Sequence, residues 1–90
     1  MQERAAPPPL ADRALLVEAR GYRCPMPVIL MEKALRGLAP GGALKVIADD
    51  PFSVVDIPHF ARAAGALAQR LPDEDGACVF LVTRAGNRAD

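Results

Sequence analysis

The chain reads as a small α/β protein: a two-layer sandwich, order β-α-β-α-β-β, with two helices on one face of a mixed four-stranded sheet. Three observations predict this. Short apolar-rich runs are bounded by glycine, proline and aspartate, as strands are. Two other stretches, after Cys24 and after Ser53, carry their apolar residues at helical spacing. The length of 90 residues allows one modest core and no second, so helices and strands must share it.

In chain order, residues 1–13 hold Glu3, Arg4 and Asp12 around Pro7-Pro8-Pro9 and no hydrophobic run, which predicts a disordered tail rather than a targeting signal. The first strand is expected over Ala14–Ala19, and Gly21 breaks it. The helix after Cys24 should bury Val28, Ile29, Leu30, Ala34, Leu35 and Leu38, with Glu32, Lys33 and Arg36 toward solvent. Ala39-Pro40-Gly41-Gly42 ends it. Leu44–Ala48 is the second strand, closed by Asp49-Asp50-Pro51. Ser53 or Asp56 can cap the second helix, and Pro58 should fall in its first turn, because an interior proline removes a hydrogen bond. Phe60, Ala63 and Ala64 follow at helical spacing, and Gly65 is the expected terminus. A third strand over 66–71, a turn at Pro72–Gly76 and a buried last strand at Cys78–Thr83 complete the order. One domain is expected over 14–86, with 87–90 frayed.

Composition narrows the function. Eleven basic residues balance eleven acidic ones, and aromatics make up 4% of the chain, so neither direct nucleic-acid binding nor attraction to an anionic membrane is expected. No apolar stretch approaches the length that spans a bilayer. Two cysteines, Cys24 and Cys78, form no CxxC pair and no ligand cluster with His59, so neither a metal nor a cofactor is expected. A soluble, cytoplasmic protein is the reading that follows.

Cys24-Pro25-Met26-Pro27 is the stretch that points to chemistry. A proline suits the first turn of a helix, and the residue before it is pushed out of helical geometry. Cys24 is therefore expected at the capping position, where free N–H groups and the helix dipole favour a thiolate. Met26 also precedes a proline, so either the helix starts nearer Pro27 or its first turn is held against that bias. Arg20 and Arg23 argue for an electropositive, accessible thiol; the alternative is a small core hydrophobe, the usual fate of a free cysteine. Cys78, on an apolar strand, is expected to be buried and inert. His59 reads as a solvent-facing helix residue, Asp73-Glu74-Asp75 as a hydrated loop, and Met26 and Met31 as core or rim packing. If exposed, Phe52-Ser53-Val54-Val55 is a candidate docking patch.

Glu18-Ala19-Arg20-Gly21-Tyr22-Arg23-Cys24-Pro25-Met26-Pro27-Val28, followed by Ala48-Asp49-Asp50-Pro51 and Asp56-Ile57-Pro58, resembles the TusA/SirA-like sulfurtransferase family over residues 14 to 86. The resemblance implies a two-layer α/β sandwich and a sulfur carrier. Sulfur would ride as a persulfide on Cys24, with Pro25 and Pro27 shaping the helical turn beneath it. It would come from a donor such as a cysteine desulfurase or rhodanese and pass to an acceptor protein, in tRNA thiolation, molybdenum-cofactor formation or sulfur oxidation. Asp49, Asp50 and Asp56 match recurrent family positions, read mainly as turn and capping residues and, with Phe52, as candidates for the partner surface. Glu18 stands where many members have Asp, Phe52, Val54 and Val55 are more apolar than usual, and Met31-Glu32-Lys33 is less basic. A different class of function, a thiol-dependent regulatory or interaction module, would share the accessible cysteine and move no sulfur.

Overall fold

A computed structural model describes residues 14–85; the expected N-terminal tail and frayed C-terminus lie outside that range. The elements are β1 (Leu15–Glu18), α1 (Met26–Arg36), β2 (Ala43–Ala48), α2 (Ser53–Ala63), β3 (Ala66–Glu74) and β4 (Ala77–Arg84). The four strands form one mixed sheet in the order β1-β2-β4-β3. β1 runs parallel to β2, and β4 is antiparallel to both β2 and β3. Class and element order are those the sequence predicts.

Alternation along the strands builds the core. Val17, Val46 and Phe80 sit in one cross-sheet row, and with Leu44, Ala48, Cys78 and Val82 they form the face that the helices cover. Helix α1 contributes Val28, Met31 and Leu35, and α2 contributes Ile57 and Ala61, each set repeating every three or four residues. The opposite face carries a smaller cluster of Ile47, Ala77 and Val79.

Three local expectations need correction. Ile29 is exposed, and Met31 takes the buried place on α1, since Val28, Met31 and Leu35 define a stripe from which Ile29 is rotated away. Pro58 lies inside α2 rather than in its first turn. The Val54 carbonyl that it leaves without an intrahelical donor belongs to an exposed residue, where water can serve it, and burial of Ile57 and Ala61 on either side anchors the helix. The buried residues of α2 are Ser53, Ile57 and Ala61; Phe60, Ala63 and Ala64 face outward. Finally, β3 continues to Glu74. An irregularity between Leu71 and Glu74 takes Pro72, which cannot donate, and Asp73 out of the ladder. The turn itself is only Asp75-Gly76, both at positive φ (50° and 81°), as a tight two-residue hairpin requires.

Because β1 and β2 are parallel neighbours, and a helix follows each, both helices start at the same end of the sheet. They also pack on one another. This brings the segment before α1 and the first turn of α2 together.

Candidate functional site

Cys24 sits at that meeting point. The chain leaves β1 through a turn in which the Tyr22 N–H donates to the Ala19 carbonyl at 3.2 Å, with Gly21 at φ 88°. The Gly21 N–H donates to Asp49 Oδ1 at 3.0 Å, tying the cysteine loop to the end of β2. The N-cap of α1 is Pro25, so Cys24 lies one residue further out than the sequence predicts. The helix nonetheless begins at Met26, its first turn held by Ile29 N–H to Pro25 C=O at 3.1 Å and Met26 N–H to Arg23 C=O at 2.8 Å. Pro27 is buried beneath it. Cys24 itself is exposed, not a core hydrophobe.

The side chain facing Cys24 comes from α2. Sγ donates to Asp56 Oδ2 at 3.3 Å, across 32 residues of sequence. This overturns the expected thiolate. The hydrogen bond to Asp56 pushes the Cys24 thiol above its ordinary range, and desolvation and the charges of Asp56 and Asp50 push the same way. Nor does Arg20 supply the expected positive charge, because its guanidinium is paired with Glu18 at 2.7 Å. The resting state is a solvent-accessible thiol held in its protonated form.

Asp50 orders the approach to α2: its Oδ2 accepts from the Phe52 N–H at 3.2 Å, and its carbonyl accepts from Ser53 at 3.0 Å. Arg23 joins Gly21, Tyr22, Asp49, Asp50 and Pro51 around a cleft of about 340 Å³ between the cysteine loop and the Asp-Asp-Pro turn. Large apolar side chains stand exposed on both segments that meet at the Cys24–Asp56 contact: Tyr22, Met26 and Ile29 on one, Phe52 (64%) and Val55 (69%) on the other. Cys78 is buried in β4, and burial pushes its thiol up. Among the described residues both cysteines are free. His59 is exposed and packs edge-on against Phe60, ring centroids 4.9 Å apart.

The family model "Sulfurtransferase TusA" matches residues 16–84. The chain belongs to the TusA family. Among its relatives, a protein of Pseudomonas paraeruginosa named "Sulfur carrier protein TusA" is 38% identical over 69 residues, covering 77% of this chain and 87% of that one. A protein of the same name from Allochromatium vinosum is 34% identical over 76 residues, 84% of this chain and all of that one. The crystal structure of a SirA-like protein from Desulfitobacterium hafniense superposes with a TM-score of 0.71 at 30% identity, covering 81% of this chain and 99% of that chain. The TusA-family match spans the cysteine loop, both helix starts and all of the sheet but Leu15.

What sequence reasoning missed is the role of Asp56. Its place in the first helical turn pointed to capping, yet it is Asp50 that serves the N–H of the N-cap residue Phe52, and the Asp56 carboxylate turns to Cys24 instead. The signal was available in the topology: two parallel neighbouring strands, each followed by a helix, place both helix starts side by side.

Proposed function

We propose that this TusA-family member is a sulfur carrier that accepts sulfane sulfur as a persulfide on Cys24 and relays it to a partner protein. The observation that supports this reading best is an exposed thiol on a loop tied to the end of β2, beside an open cleft. A carrier must let two successive proteins reach the same sulfur atom, and an open thiol allows that. Pro25 and Pro27 shape the turn beneath Cys24, and Arg20 and Arg23 support its loop. Asp49, Asp50, Phe52 and Asp56 form the surface on which a donor such as a cysteine desulfurase or rhodanese, and then an acceptor, would seat. Candidate pathways are tRNA thiolation, molybdenum-cofactor formation and sulfur oxidation, in the cytoplasm. No helix among the described residues is long and apolar enough to cross a membrane.

The test is intact-mass measurement of wild type and Cys24→Ala after incubation with a cysteine desulfurase and cysteine, and separately with a rhodanese and thiosulfate. A reductant-sensitive gain of one sulfur atom in wild type, absent from the variant, is expected. No gain from either donor would leave the regulatory thiol module as the better reading.

A further inference from the structure

We propose that Asp56 is the proton acceptor of Cys24 in sulfur uptake, taking the Sγ proton as the thiol attacks and passing it to the departing donor sulfur. This rests on the persulfide reading of Cys24 and adds the group that makes an otherwise protonated thiol competent.

The argument starts from what the carboxylate does not do. An aspartate in the first turn of a helix ordinarily satisfies a free backbone N–H. The N-cap residue of α2, Phe52, makes no side-chain cap, Asp50 serves the Phe52 N–H, and Asp56 reaches across to Cys24 Sγ at 3.3 Å. Among the described residues, Oδ2 of Asp56 is the one side-chain atom hydrogen-bonded to that sulfur. The other titratable groups nearby are arranged differently. Asp49 is occupied by the Gly21 N–H and Asp50 by the Phe52 N–H, Tyr22 and Arg23 share the cysteine's own loop, and His59 is three residues beyond Asp56 and packed on Phe60.

A thiolate formed in advance would sit against Asp56 and near Asp50, so attack through that species draws on a small population. Losing the proton in concert with attack, to the oxygen already holding it, avoids placing two anions side by side. The step balances without an oxidant. Sγ attacks the terminal sulfur of a donor persulfide, R–S–SH, and forms the new S–S bond. The donor S–S bond breaks, and its inner sulfur leaves with the bonding pair. The Sγ proton passes to Asp56 and on to the leaving sulfur, giving Cys24–S–SH, R–SH and a regenerated carboxylate.

A purely electrostatic brake would also raise the thiol, but it predicts the opposite response to Asp56→Asn. Two rates on the full chain separate them: alkylation of Cys24 by iodoacetamide at neutral pH, and single-turnover uptake from glutathione persulfide followed by intact mass. For D56N, alkylation should speed up about threefold for each pH unit by which the thiol's titration moves down, since the gain in thiolate outweighs its lost nucleophilicity. Uptake should fall about a hundredfold, the scale of a lost proton-transfer group. Asp56→Ala should regain uptake as formate is added. Uptake that rises with alkylation, or stays unchanged, overturns the proposal. Should the variants fail to melt cooperatively, wild-type uptake in D2O decides: concerted proton loss slows it, and an absence of slowing overturns the proposal. A wild-type chain that takes no sulfur from either glutathione persulfide or a desulfurase would instead sink the carrier reading itself.

Discussion

The two cysteines differ only in where the chain places them, and the difference decides their chemistry. Cys24 is exposed on a loop, and Cys78 is packed between strands with its thiol raised by burial. Native protein should therefore incorporate one equivalent of iodoacetamide, mapped to Cys24, and a second at Cys78 only in denaturant. The raised Cys78 thiol also sets a sign for stability. Below the ordinary thiol range, about pH 8.5, the thiol is protonated in both folded and unfolded chains and contributes no pH dependence. Above it, the unfolded chain loses its proton first, so stability falls as pH climbs through the folded-state value. Urea midpoints measured from pH 8 to 10 should decline less steeply for Cys78→Ala than for wild type, whatever the constant loss from the smaller side chain. The exposure of Cys24 beside a helix start was legible in the sequence because its proline neighbours fix local geometry. Its protonation state was not, because that depends on a carboxylate 32 residues away.

At the scale of elements, the local rules that held were those set within one turn of chain, and those that failed were settled by packing. Gly65 ends α2 at φ 79°, as a left-handed exit requires, and Gly21 breaks the chain after β1. Pro58, by contrast, sits inside a helix because Ile57 and Ala61 bury its flanks, and no window of sequence reveals that the sheet is there to receive them. Ile57→Ala should accordingly cost about 2–5 kcal/mol, read from chemical denaturation, since it empties a fully buried site. The end of α1 is a second case. Arg84, the last residue of β4, donates its guanidinium to the carbonyls of Leu35 and Leu38, in and just past the last turn of the helix. Arg84→Ala should lower stability by about 1–3 kcal/mol, as charged hydrogen bonds to half-buried acceptors do. Arg84→Lys should recover part of that loss, because an ammonium also suits a helix C-terminus but does not place its donor where the guanidinium Nη1 stands.

Taken whole, the molecule concentrates its accessible chemistry at one end of the sheet, where the parallel β1–β2 pair delivers both helix starts. That end carries an exposed thiol, a facing carboxylate and a run of exposed apolar side chains on a chain with no net charge. A carrier with this surface gains little from long-range steering, so recognition must come from short-range contact. Phe52 and Val55 are the most exposed apolar residues of the segment that includes Asp56. Buried against a partner, such side chains are the kind that dominate an interface, and each replacement by a charge removes that contribution and adds a desolvation cost. Neither lies in the core, so Phe52→Glu and Val55→Glu should melt within a few degrees of wild type. Single-turnover sulfur uptake from a cysteine desulfurase should fall about tenfold or more for each, through weaker docking. Uptake from glutathione persulfide, which under the proposed chemistry needs only Cys24 and Asp56 within reach, should fall much less. Equal losses with both donors would show that these residues act on the thiol itself and that docking lies elsewhere on the surface.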